Sequence, residues 1–193
     1  MINGVIRTES EIAQAYNLLS DAFEIGCDTE TSGLDAGRGR LLSLQFSDGR
    51  TSVLIPLSEG VDPGPFRELL KEESKLKIFH NAKFDLKFLK AKGFEVRGVF
   101  DTMIAEKLII KGANQSASLA DTLYRYFAVD LDKSQRQKFG KKWDGIWSQE
   151  LVEYALSDVV YLPKLKKEQS EWLKRLGLYQ EFEQQIKALC ASI

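Results

Sequence analysis

Apolar residues recur at helical spacing in "ESEIAQAYNLLSDA", at Ile12, Ala15, Tyr16 and Leu19, so this segment is predicted to be a helix, with Ser10 as its candidate cap. "FEIGCD" then reads as a buried strand. "RLLSLQFSD" and "TSVLIPL" read as two more, joined hairpin-fashion by the turn "DGR". "PGPFRELLKEES" predicts a helix, "KLKIFH" a short strand, and "AKFDLKFLKAKG" a helix that Gly93 terminates. "VRGVFD" is the fifth strand. Beyond it the pattern is helical almost throughout, in "TMIAEKLIIKG", "SLADTLYRYFA", "SQELVEYALSDVVYLPKLKKEQSEWLKRLG" and "YQEFEQQIKALCAS", with Pro163 marking a turn or kink. The predicted fold is therefore α/β: a mixed five-stranded sheet flanked by helices, with a helical C-terminal half. The one irregular, polar stretch is 129–147.

Composition narrows this picture. A chain of 193 residues suits one well-buried α/β domain, so residues 1–193 are read as a single domain. With 44% hydrophobic and 28% charged residues it is a globular rather than a disordered sequence. A net charge of -1 supplies no overall attraction to nucleic acid, so any such binding must use local basic clusters or metal ions. Cys27 lies in an apolar run and reads as a buried free thiol; with Cys190 it makes no disulfide framework. Neither a signal-peptide core nor an apolar run of about 18 residues is present, so the expected location is cytoplasmic, without a membrane partner.

The candidate chemistry begins in "GCDTETSGLD". Asp28 and Glu30 stand two apart at the end of a strand, so both carboxylates point to one face and repel each other unless a cation lies between them. Asp85, in "FHNAKFDLKFL", and Asp158, in "EYALSDVVYL", are two further candidates. Tyr154 precedes Asp158 by four residues, which on a helix puts phenol and carboxylate on one face. Alone, a D-x-E at a strand end or an Asp on a helix is commonplace; the combination is the signal. Converging carboxylates call for divalent cations, and hard oxygen ligands without a Cys/His cluster favour Mg²⁺ or Mn²⁺ over Zn²⁺. Two such ions, roughly 4 Å apart, serve phosphodiester hydrolysis.

"CDTETSGLD", "FHNAKFD" and "YALSD" resemble, in order and spacing, the three motifs of the 3′-to-5′ exonucleases that carry three Asp, one Glu and a Tyr. This is the DEDDy branch of the DnaQ-like, ribonuclease H-like superfamily. "HNAKFDLKFL", "FDTMIAEKLI", "SLADTLYRYF" and "LDKSQ" are further similar to the proofreading domains of bacterial family A DNA polymerases. No polymerase thumb, palm or fingers follow, which implies a stand-alone exonuclease or an excised domain. "LDKSQ" with "YALSDVVYL" also resembles ribonuclease D, although that family's following helical module is missing.

The resemblance implies roles. Asp28, Glu30 and Asp158 would ligate the metal that holds the nucleophilic water, Asp28 would bridge to a second metal, and Asp85 would act on that one mainly through water. Tyr154 would orient the water, because a phenol near pKa 10 is a poor general base at neutral pH. Leu34 would pack by the terminal base, Thr29 and Thr31 would contact the 3′ end, and Asn81 would contact the substrate backbone. For Leu34 the alternative is ordinary packing; for Asn81 it is helix capping. His80, the sole histidine, reads as structural, and Asp101 as the cap of the following helix. Lys133, Arg136, Lys138, Lys141 and Lys142 with Phe139, Trp143 and Trp147 combine charge and aromatic faces, the mixture a single strand prefers; a solvated loop is the alternative. The implied activity is metal-dependent release of nucleoside 5′-monophosphates from DNA 3′ ends, single-stranded or frayed, in proofreading or repair, with a DNA polymerase as candidate partner. Ribonuclease D-like trimming of RNA, and an inactive module that binds nucleic acid or docks a polymerase, are the competing readings.

Overall fold

The computed structural model describes residues 3–131, 138–139 and 143–193. Strands β1 (Asn3–Val5), β2 (Glu24–Thr31), β3 (Leu41–Ser47), β4 (Ser52–Ile55), β5 (Leu76–Phe79) and β6 (Val99–Asp101) form one sheet in the order β1-β4-β3-β2-β5-β6. The sheet is mixed: β3 runs antiparallel to β2 and β4, whereas β1/β4, β2/β5 and β5/β6 are parallel pairs. It has one strand more than the five expected. The addition, β1, is three residues long, too short for alternation to register. It is held at the edge by pairing with β4 and by the Asn3 side chain, which accepts from the Ser52 N–H at 2.9 Å.

Helices α1 (Glu9–Leu19), α2 (Phe66–Lys71), α3 (Ala82–Ala91), α4 (Thr102–Ile109), α5 (Leu119–Phe127), α6 (Gln149–Val160), α7 (Leu162–Arg175) and α8 (Tyr179–Ala191) cover it. The cap of α1 is Thr8, two residues before the expected Ser10. Thr8 accepts from the Glu11 N–H while the Glu11 carboxylate accepts from the Thr8 N–H, a reciprocal pair that Ser10, inside the helix, cannot make. The predicted break in the long helical run falls at Tyr161, with Pro163 in the first turn of α7, where a missing N–H costs nothing.

Alternation along β2 sorts the layers. Ile25 and Cys27 enter a core shared with α1, α2 and α3. Gly26 faces the other way, onto the α6–α7 joint, where a Cβ would sit 2.6 Å from the Val159 carbonyl and 3.1 Å from the Leu162 Cβ. Only glycine lets the end of α6 approach β2 this closely. Two further apolar clusters lie on that side, one built on Ile78, Phe100, Val159 and Leu165, the other on Leu42, Leu54, Trp147 and Leu151.

At the amino edge of β5, Lys77 is fully buried. Its Nζ donates to the carbonyls of Glu72 and Lys75, at 2.5 and 2.6 Å, and burial pulls its pKa down to about 8. Lys75, also buried, donates to the carbonyls of Ser20 and Ala22. Cys27 is buried and Cys190 exposed, and both thiols are free. No described helix is long and apolar enough to cross a membrane.

Candidate active site

The carboxyl ends of the parallel strands β2 and β5 open onto a cavity of about 570 Å³. Open sheets of this kind present ligand sites at that edge, where loops and helix starts converge. Each of Asp28, Glu30, Asp85, Tyr154, Asp158, Thr29, Thr31, Leu34 and Asn81 lines it.

Asp28 and Glu30 project from the face of β2 that also carries Gly26, toward α6. The close approach of α6 at Gly26 brings Asp158 to them, and one ligand oxygen from each of Asp28, Glu30 and Asp158 lies within 4.8 Å of the others. A register shift between β2 and β3 falls between Glu30 and Thr31, so that Leu42 of β3 has no partner across the pair. Bulges of this kind bend a strand end and re-aim its side chains beside a site.

Asp85 stands outside that group of three, so the convergence is three carboxylates with a fourth beside them. It comes from the first turn of α3, on the opposite face of β2, and is 2% exposed. The Thr29 hydroxyl donates to its Oδ1 at 2.7 Å. Burial raises the Asp85 carboxyl to about 7, against the lowering effect of the Thr29 hydrogen bond. Thr31 donates its hydroxyl to the Gly33 carbonyl at 2.8 Å. Both threonine protons are therefore spent inside the protein, leaving the oxygens and the backbone to meet a substrate.

Tyr154 is buried on α6 against Phe139, with ring centroids 6.1 Å apart. Phe139 in turn packs on Trp143 and Trp147. In the described part of 129–147, Phe139 and Trp147 are buried rather than solvent-facing, because large aromatic surface gains more from burial than from standing in a polar loop; Phe139 backs Tyr154 and also lines the cavity. Lys138 is exposed; Lys133, Arg136, Lys141 and Lys142 lie outside the described residues.

Leu34 is 84% exposed at the rim, which removes ordinary packing as its explanation. Asn81 occupies the N-cap position of α3, yet its side chain makes no capping bond. His80 makes a bond of the structural kind expected for it, although its residue also lines the cavity: its Nδ1 pairs with the Thr102 hydroxyl at 2.8 Å, and since that hydroxyl gives its proton to the Phe79 carbonyl, Nδ1 is the donor. Asp101 caps α4 through the N–H groups of Met103 and Ile104. The sequence reading missed Phe84, Met103 and the start of α5 at Ser118–Ala120 as cavity lining. The adjacency of Phe84 to Asp85 was its one available signal.

A family model described as 3′-5′ exonuclease, of the DNA polymerase A type, matches residues 4–173. The chain belongs to this 3′-5′ exonuclease family. It is 30% identical over 169 residues to DNA polymerase I of Aquifex aeolicus, matching 87% of this chain and 27% of that one. It is 34% identical over 157 residues to ribonuclease D of Bartonella henselae, matching 80% of this chain and 37% of that protein. The exonuclease chain thus spans well under half the length of these two curated relatives. Among solved structures, Brucella melitensis NrnC with bound Mg²⁺ gives a TM-score of 0.78 at 30% identity, covering 96% of this chain and 88% of that one. The same protein bound to pGG gives 0.79 at 29% identity, with 97% and 86% coverage.

Proposed function

We propose that residues 1–193 act as one metal-dependent 3′-to-5′ exonuclease domain that removes nucleoside 5′-monophosphates from single-stranded or frayed DNA 3′ ends, in proofreading or repair beside a DNA polymerase. The observation that carries this reading is the meeting of Asp28, Glu30 and Asp158 within 4.8 Å, in a cavity that also holds Asp85 and Tyr154. The donor set is all carboxylate oxygen, which fits Mg²⁺ or Mn²⁺. Asp28, Glu30 and Asp158 would hold one cation, and Asp28 with Asp85, through water, a second. Bound there, such cations supply an ionised water at neutral pH and charge neutralisation at the phosphodiester.

The protein's own groups do the placing. Tyr154, braced by Phe139, holds its hydroxyl at the cavity to orient the attacking water. Exposed Leu34 offers an apolar face to the terminal base, and the backbone of Thr29 and Thr31 borders the 3′ end. The similarity to ribonuclease D and to NrnC favours a second reading, trimming of RNA 3′ ends by the same residues. One experiment tests both. 3′-labelled single-stranded DNA, duplex DNA with a mismatched end, and RNA are incubated with Mg²⁺ or Mn²⁺, with Asp158→Ala as control. Mononucleotide release from DNA supports the first reading, and release confined to RNA replaces it with the second. Degradation of neither polymer overturns both and leaves the non-hydrolytic module.

A further inference from the structure

Asn81 has φ 69° and ψ 49°, the left-handed conformation, at the N-cap position just before α3. Asparagine tolerates this better than most residues, and at a helix start its side chain normally accepts from the second or third N–H of its own helix. Here it does not. Asp101, at the end of β6, instead meets the N–H groups on either side of the Asn81 Cα, those of Asn81 itself and of Ala82, which lie just before the N–H groups an Asn81 cap would serve. Asp101 Oδ1 accepts from Asn81 N at 3.1 Å and Oδ2 from Ala82 N at 2.8 Å. The same carboxylate accepts from Met103 N at 2.8 Å and Ile104 N at 3.3 Å, capping α4. Two helix starts therefore share one carboxylate that is 2% exposed, with three N–H donors on Oδ1 and one on Oδ2.

Resting on the exonuclease reading above, we propose that Asp101 is a positioning residue: by holding the N–H groups on either side of the Asn81 Cα, it keeps Asn81 left-handed at the cavity lining, where its side-chain amide is available to the terminal nucleotide's backbone. Without those two bonds the Asn81 backbone can leave the left-handed region for the extended one, in which an N-cap side chain accepts from the second or third N–H of its helix, and the amide is withdrawn from substrate. Asp101 touches neither substrate nor reacting atoms; it acts through Asn81.

The test is a double-mutant cycle. Asp101→Asn puts an amide NH₂ against N–H donors. It is expected to raise KM for a single-stranded 3′ end about tenfold, the worth of one substrate hydrogen bond, with kcat and the Mg²⁺ concentration for half-maximal rate within about twofold. Asn81→Ala is expected to raise KM by a similar factor, and the double variant no further. Asn81→Gly keeps the left-handed backbone and the Asp101 bonds but lacks the amide, so it should match Asn81→Ala in KM at unchanged melting temperature. KM losses that multiply in the double variant overturn the proposal, because they show two independent effects. A crystal structure of Asp101→Asn with Asn81 still left-handed and its amide in the cavity also overturns it. Should Asp101→Asn not fold, a wild-type crystal structure with a short oligonucleotide and Ca²⁺ decides: an Asn81 amide on the nucleotide supports the proposal, and one folded back onto α3 defeats it. If wild-type protein hydrolyses neither DNA nor RNA, the functional reading falls separately, and the Asp101→Asn structure still reports on Asn81.

Discussion

At the amino edge of β5, Lys75 and Lys77 are buried cations, each held by two backbone carbonyls. At the carboxyl edge of β2, Asp28, Glu30 and Asp158 crowd their carboxylates within 4.8 Å. The same sheet thus gathers opposite charges at its two edges and handles them differently. The lysines are satisfied by dipoles of the chain itself, so their burial contributes to one defined structure, and their cost is desolvation alone. Crowded carboxylates add mutual repulsion, which a divalent cation reverses into attraction. The basic edge is settled by folding itself, whereas the acidic edge suits a bound cation.

Four substitutions or conditions probe that contrast. The largest effect belongs to Asp158→Ala. It should cut mononucleotide release by at least about a thousandfold, as the proposed metal-holding role of Asp158 requires, while the melting temperature moves little because Asp158 is only half-buried. A large thermal loss with modest kinetic loss would place Asp158 among the structural charges. Lys77→Ala should do the reverse. By stranding two buried carbonyls it is expected to cost about 2–4 kcal/mol in a denaturant titration, with kcat/KM within about threefold where the variant is folded. Gly26→Ala links the edges, since its Cβ would meet the Val159 carbonyl at 2.6 Å and push α6 outward. A stability loss of about 1–3 kcal/mol is expected, with a greater loss of activity per unit of stability than in Lys77→Ala, as Asp158 moves with α6.

The smallest effect is in pH. Lys77 is lowered to about 8 from an ordinary 10.5, chiefly by burial. Below about pH 8 it is protonated in both states and its desolvation cost is fully present. Between pH 8 and about 10.5 the unfolded chain holds the proton that the folded chain has lost, so the unfolded state binds more protons and stability rises with pH. The melting temperature of wild type relative to Lys77→Met should therefore climb between pH 8 and 10. A difference that stays flat would mean that Lys77 titrates alike in both states.

Much of the site could be read from local pattern. Period-two alternation puts Asp28 and Glu30 on one face of β2, and four-residue spacing puts Tyr154 and Asp158 on one face of α6, because strand and helix geometry are properties of neighbouring residues. What escaped was short or distant. Three-residue β1 carries too few positions to alternate, and its strand character comes from pairing with β4 some fifty residues away. Phe139 and Trp147 looked like a solvent-facing aromatic loop because nothing local shows the apolar surface of α6 that buries them. The burial of Lys77 has no local signal either; the carbonyls that make it tolerable are brought together by folding.

The sequence by itself determined the α/β class, the main elements apart from β1 and the family, since these depend on periodicity and on ordered motifs that need no third dimension to be recognised. Only the tertiary structure decided that three carboxylates meet while Asp85 reaches the cavity from the opposite face, tied to Thr29, and that Asp101 holds the N–H groups on either side of the Asn81 Cα. These are contacts across 20 to 130 residues of chain, created by the approach of α6 and α3 to one end of a sheet; hydrogen bonds and electrostatic repulsion act over a few ångströms of space, which sequence distance does not measure.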